Sequence, residues 1–230
     1  MDKMGNVVIH GIELPPPEMS VYYVNELKSY YADVEFGINC AIANPAYVKI
    51  EPGVIMAHHS SITAVTGYND RYYRPMITVS EGTQIGPYNA FAAIDRITVG
   101  RYVLFAPYVH VSDHSHGYQD VSKPVMHQPV FSNGRVVIED GCWLGFGSHI
   151  LSGVTIGKNS VIGANSLVTE NIPPFSVAVG SPAKVIKRFN FERKRWDEVR
   201  NPKVDHPSNC LSFPWDLFRS FFRKKMRRIP

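Results

Sequence analysis

Between Ile138 and Ile172 the apolar positions return every sixth residue. Ile138, Leu144, Ile150, Ile156, Ile162 and Val168 open successive hexads, a small or acidic residue usually follows, and Cys142, Ser148, Val154, Ser160 and Ser166 fill the fifth place. An amphipathic helix repeats at helical spacing and a half-buried strand on alternate residues, so neither gives this register. Short strands joined by turns do, if three hexads close a triangular coil and the first position points inward onto its equivalent in the next coil. The pattern predicts an all-β solenoid. The small residue after the aliphatic one is read as a corner residue, because glycine tolerates backbone angles that other residues avoid.

The same register begins at Ile50, Met56 and Ile62 and breaks for residues 66–76. It resumes at Val79, Ile85 and Phe91, slips by two residues near Asp95 and Arg96, and continues at Val99, Phe105 and Val111 before a second break over 113–135. Coils of about eighteen residues give about five of them across residues 48–187. Long excursions from a regular scaffold are where function usually sits, so both loops are candidate walls of a site. Residues 1–47 lie outside the register. A short strand at 7–12, the break at Pro15–Pro17 and a helix within Ser20–Tyr31 are expected to cap the open end of the solenoid. Residues 188–230 are expected to be a helical, basic extension, with an amphipathic helix over Phe189–Val199. A second helix over Pro214–Ile229 would set Trp215, Phe218, Phe221 and Phe222 beside six Arg and Lys. It could dock its aromatic face on the solenoid or rest peripherally on an anionic membrane.

Gly141-Cys142-Trp143-Leu144-Gly145, Gly153-Val154-Thr155-Ile156-Gly157, Val161-Ile162-Gly163-Ala164 and Gly180-Ser181-Pro182-Ala183-Lys184 resemble the hexapeptide-repeat acyltransferases, and within them the sugar O-acetyltransferases. The resemblance implies a left-handed parallel β-helix and a homotrimer with active sites in the clefts between subunits. It implies acetyl-CoA as acyl donor and a sugar, nucleotide-sugar or glycan as acceptor, with a role in cell-surface polysaccharide or glycan biosynthesis.

Composition narrows the picture a little. The 230 residues hold three widely spaced cysteines, Cys40, Cys142 and Cys210, which suggest neither a disulfide framework nor a zinc knuckle. With no membrane-length apolar run and no signal-like start, a cytoplasmic protein is expected, with membrane association through the basic C-terminus as an option. The net charge of +4 is mild and mostly C-terminal, so nucleic acid is not expected as a partner. No phosphate-cradling P-loop is present.

The second loop carries the candidate chemistry. An alcohol is a poor nucleophile at neutral pH and needs a base, for which histidine is best matched. In the enzymes that this chain resembles, a histidine at the mouth of this loop takes the hydroxyl proton, and His114 falls on its position. Asp113 or Asp120 could orient its ring, as could a backbone carbonyl. Gly145 is a candidate oxyanion donor. The resemblance runs the pantetheine arm of coenzyme A along Gly145, Gly163 and Ala164 and its phosphates toward Thr169, Lys184 and Lys187, and it puts Trp143 near the cofactor, where the ring could instead pack between subunits or beneath the loop. Phe146 and Glu170 depart from the residue types expected there. Asn89, Asp95 and His116 are candidate acceptor contacts, and Arg71, Tyr72 and Tyr73 of the first loop could meet a sugar or close an interface. The expected mechanism is direct attack, with no metal and no acyl-enzyme. Three other readings stay open: N-acylation of a nucleotide-linked amino sugar, a zinc enzyme using His58 or His59 with His110, His114 and His116, and a non-catalytic scaffold.

Overall fold

The computed structural model describes residues 7–9, 12–14 and 21–199. Three parallel sheets wind around one core. The first stacks Val48–Ile50, Met76–Val79, Arg96–Val99, Val136–Ile138 and Thr155–Ile156. The second runs from Glu35–Phe36 through Ile55–Met56, Gln84–Ile85, Leu104–Phe105, Trp143–Leu144 and Val161–Ile162 to Ser176–Gly180. The third runs from Ala41–Ala43 through Ser61–Ala64, Ala90–Ala93, His110–Ser112 and His149–Ile150 to Leu167–Val168.

The first place of each hexad stacks on its equivalent throughout. Ile50, Val79, Val99, Ile138 and Ile156 pair in register along the first sheet. Met56, Ile85, Phe105, Leu144 and Ile162 do so along the second, and Ile62, Phe91, Val111, Ile150 and Val168 along the third. All are buried. Each contributes roughly 1.5–3 kcal/mol of transfer free energy, against the entropy of ordering the chain. The fifth place turns inward too, as Cys142, Ser148, Val154, Ser160 and Ser166 are all buried.

The corners differ from expectation in one respect. Positive φ falls on the fourth place, at Gly141, Gly147, Gly153, Asn159 and Asn165, and not on the glycines after the aliphatic residue. Those glycines answer a different constraint. A Cβ on Gly145 would lie 2.7 Å from the backbone of Ala164 and of Ile162, and one on Gly157 would lie 2.4 Å from Pro174. They are small because the next coil is too close, not because the turn needs φ above zero.

The ends also depart from the sequence reading. Stacking begins at Glu35–Phe36, which pairs in parallel with Ile55–Met56, so the coil reaches into the segment expected to be only a cap. The cap itself holds a short helix, Val24–Tyr30, whose Leu27 enters the core, and Val21–Tyr23 closes the third sheet antiparallel to Ala41–Ala43. Val7–Ile9 pairs with Ile12–Leu14 as a hairpin.

Phe189–Val199 is not helical. Ala183–Asn190 and Arg195–Glu198 form an antiparallel hairpin that extends the second sheet, with Phe189 across from Trp196. The open edge of Ser176–Gly180 offers a ladder of backbone hydrogen bonds, and that tertiary pairing outweighs a weak helical periodicity. The expected helix over Pro214–Ile229 lies outside the described residues. Among the described residues no helix is long and apolar enough to cross a membrane.

Candidate active site

The corner between the third sheet and the first is where the repeat opens. After Ser112 the chain leaves the coil and returns at Val136. The excursion is a folded arm. Ser115–His116 pairs with Val130–Phe131, and the buried Gln128 side chain accepts from the Asp120 N–H while donating to the Asp120 and Lys123 carbonyls. The first loop braces it. Tyr68 Oη donates to the Met126 carbonyl at 3.0 Å, Tyr73 Oη to the Val130 carbonyl at 3.3 Å, and Tyr68 meets the His116 ring edge-on. Both breaks in the hexad pattern therefore form one wall.

His114 stands where this arm departs, with 14% of its side chain exposed. Its Nδ1 lies 3.0 Å from Oδ1 of Asp113, which is fully buried. The same carboxylate accepts from two backbone groups, with Ile94 N–H at 2.9 Å and Asp95 N–H at 2.8 Å. These donors sit at the two-residue slip in the register, so the slip makes the cradle. A carboxylate held this way is placed to accept from Nδ1–H, and in that neutral tautomer the lone pair is on Nε2. Ser152 Oγ fixes the other side by donating to the Asp113 carbonyl at 2.6 Å. Asp120 takes no part, since it binds Ser122 and Lys123, contacts that hold its carboxyl down at about 2.

Two more imidazoles open strands of the third sheet. His110 and His149 are in register on the third sheet with ring centroids 5.7 Å apart. Burial first, then the positive charge that His149 and His114 can carry, pushes the His110 ring below the usual imidazole range. Both residues occupy the sixth place of their hexads, a signal available in the sequence once the inserted arm is left out of the count.

The remaining candidates separate into groups. Asp95 is exposed and adjoins the Asp113 cradle through its own N–H, whereas His116 lies out on the arm. Thr169 and Glu170 follow the third-sheet strand of a later coil at the open corner, and Lys184 reaches Glu170 with a 3.0 Å ion pair. Trp143 is half exposed on the outside of the second sheet, and Lys187 stands in that sheet's extension across from Val177. Gly145, Gly163 and Ala164 form the corner between the second sheet and the third. That corner and His114 lie at opposite edges of the third sheet, about 10 Å or more apart at ~3.3 Å per residue.

At this other corner Asn89 and Gly145 are already committed, whereas the Ser148 hydroxyl is buried with no hydrogen-bond partner among the described residues. Asn89 is buried, its amide donates to the Gly86 and Ala106 carbonyls, and its oxygen accepts from Val109 N–H at 2.7 Å. It braces the turn and has nothing to offer an acceptor. Gly145 N–H donates to the Ile162 carbonyl at 2.8 Å, so it is committed to the ladder and is not an oxyanion donor. On the outside of this corner His59, Tyr88 and Tyr108 stack at 4.8 Å intervals, and Phe146 meets Tyr108 edge-on at 5.4 Å. Among the described residues no three His, Cys, Asp or Glu side chains gather as a metal-holding group.

A triangular coil of parallel strands, written in hexads and interrupted at one corner by a histidine-bearing arm, defines a hexapeptide-repeat protein. The family model for the bacterial transferase hexapeptide (six repeats) matches residues 135–170. An Escherichia coli K12 protein named for O-acetyl transfer in lipopolysaccharide biosynthesis, WbbJ, is 33% identical over 169 residues, covering 70% of this chain and 85% of that one. The galactoside O-acetyltransferase of Lactococcus lactis is 45% identical over 110 residues, and that of E. coli 41% over 105. The chain spans about half the length of these two, 52% and 48%. Among solved structures, a variant of AntD, an N-acyltransferase from Bacillus cereus held with dTDP-4-amino-4,6-dideoxyglucose and coenzyme A, shares the fold. Its TM-score is 0.51 at 18% identity, over 90% of this chain and 99% of that one. The chain belongs to the hexapeptide-repeat acetyltransferase family, which implies the left-handed hand of the coil, and it is an acyltransferase.

Proposed function

We propose that the protein moves an acetyl group from acetyl-CoA to a sugar hydroxyl in the synthesis of a cell-surface polysaccharide or glycan, with His114 as general base. The observation that carries this reading is the His114–Asp113 pair, whose carboxylate is anchored by two backbone N–H groups. The acceptor hydroxyl gives its proton to Nε2 as its oxygen bonds to the thioester carbonyl carbon. The tetrahedral intermediate then collapses, the carbon–sulfur bond breaks, and the proton on Nε2 passes to the departing thiolate. Asp113 stabilises the imidazolium between these steps. Neither Cys40 nor Cys142 enters, since both thiols are buried and pushed upward by burial, Cys142 to about 11. Asp95 and His116 remain the proposed acceptor contacts, and the relatives named for O-acetyl transfer support the hydroxyl acceptor.

The separation of the candidate residues favours a site shared between copies. His114 and Asp113 come from the open corner of one protomer, with Thr169 and Lys184 along the same edge. Trp143, Gly145, Gly163 and Ala164 come from the opposite corner of its neighbour, in a homotrimer where each corner meets the next. Lys187, together with Lys184, meets the phosphates of the donor.

The test is thiol release from acetyl-CoA in the presence of free sugars, nucleotide sugars, amino sugars and glycan fragments. Release that depends on a sugar hydroxyl and is lost in His114→Ala supports the reading. Release only with an amino sugar moves the reaction to nitrogen, and release unaffected by His114→Ala removes the histidine from it.

A further inference from the structure

Residues next to each other in an extended chain point to opposite faces, so an aspartate and a histidine at i and i+1 meet only where the peptide between them is turned and held. Asp113 and His114 do meet, with 3.0 Å between Oδ1 and Nδ1, and the chain bends at Asp113. The peptide that joins them is held at both of its polar ends. Its carbonyl, on Asp113, accepts from Ser152 Oγ at 2.6 Å, and its N–H, on His114, donates to Ser112 Oγ at 3.3 Å. Ser112 Oγ also donates to the His114 carbonyl at 2.9 Å, which fixes the following peptide. The two hydroxyls reach this peptide from different coils. Ser112 ends the strand from which the arm departs, whereas Ser152 follows His149–Ile150, the strand stacked on it.

Ser152 has a second partner. Its Oγ accepts from the Asn133 N–H at 2.7 Å, where the arm returns to the coil. One hydroxyl therefore ties both ends of the arm to the next coil and gives its single proton to the peptide beside His114. We infer that Ser152 and Ser112 are positioning residues of the reaction assigned to His114, setting the plane of the Asp113–His114 peptide and, through it, the pairing of carboxylate with imidazole. The inference rests on that reaction, and each serine acts through the pair and not on the substrate. Without the Ser152 hydroxyl the peptide is free to rotate, which swings the two side chains toward opposite faces and parts Oδ1 from Nδ1. A misplacement of about 1 Å in such a group costs on the order of 100-fold in rate. Ser132 provides the contrast. Its Oγ accepts from the Gly134 N–H at 3.0 Å and lies 3.4 Å from Ser152 Oγ, so it belongs to the base of the same arm without bonding to the Asp113–His114 peptide.

The test is steady-state thiol release by Ser152→Ala, Ser112→Ala and the control Ser132→Ala in the full-length chain. Ser152→Ala is expected to lower kcat by about tenfold or more while KM for acetyl-CoA stays within about twofold of the parent, a split that a general loss of structure does not give. Ser112→Ala lowers kcat in the same way, and it carries the test if Ser152→Ala does not fold. Ser132→Ala keeps the parent kcat. In an Asp113→Asn background Ser152→Ala costs under about threefold, because the pair that it serves is already broken. Parent kcat in both Ser152→Ala and Ser112→Ala, beside an inactive His114→Ala, overturns this inference and leaves the reaction standing. An equal loss in Ser132→Ala, or the full factor again in the Asp113→Asn background, makes the serines general supports of the arm and overturns it too. Full turnover in His114→Ala removes the reaction itself, and the positioning role with it.

Discussion

The two corners that flank the third sheet are built from the same hexads and have opposite fates. At the corner of Asn89, Gly145 and Gly163, each coil sits so close to the next that a methyl group does not fit on Gly145, and the Asn89 amide is satisfied inside the turn. At the corner of Asp95 and His114, two extra residues in one coil and a long arm in the next leave backbone donors free to hold a carboxylate. That carboxylate in turn holds an imidazole at the surface. The lesson is that a regular coil commits most of its backbone and amide groups to itself, and side chains with a free face gather where the register fails.

Breaking the open corner has the largest expected effect. His114→Ala lowers kcat/KM by about 10³-fold, within the usual contribution of a general base, with circular dichroism and thermal midpoint unchanged. A loss under tenfold, measured by steady-state thiol release, contradicts the assignment. Asp113→Asn comes next. Its amide offers one acceptor oxygen where the carboxylate offers two, so a backbone N–H or Nδ1 loses its partner. About 10- to 100-fold in kcat is expected, with a changed pH–rate profile that a purely structural residue would not give.

Breaking the closed corner acts on stability instead. Gly145→Ala drives a methyl group into the backbone of the next coil and costs roughly 1–3 kcal/mol, read as a lowered denaturation midpoint. The smallest effect is the acid sensitivity of His110. Its folded pKa lies below the unfolded value, so the unfolded chain binds the proton more readily and stability falls as pH drops through about 6.5. His110→Gln flattens that part of the stability curve. An unchanged slope rules out His110 as its source.

Most of the coil was legible because the hexad register is a direct consequence of stacking. The inward residues from Ile50 to Val168 were named by position alone, and both loops appeared as breaks in that count. The ends were less legible. Phe189–Val199 has a helical spacing of apolar residues, but the open edge of Ser176–Gly180 supplies hydrogen bonds that no local pattern reveals. At the site, the resemblance supplied His114 but not its partner. The choice between Asp113 and Asp120 depended on where Ile94 and Asp95 place their N–H groups, and the slip that places them was visible without its meaning. Gly145 and Asn89 misled in the same way, as residue types useful in a site that are equally useful in a tight turn.

The proposed active site is assembled from the open corner of one copy and the closed corner of the next. Co-expression of His114→Ala with Ala164→Arg tests this most directly, because each variant damages a different corner and a mixed trimer contains interfaces where both corners are native. Each variant alone is expected to be nearly inactive, and the mixture to regain about a quarter of native turnover under random assembly. A mixture as inactive as its parents would contradict the shared site.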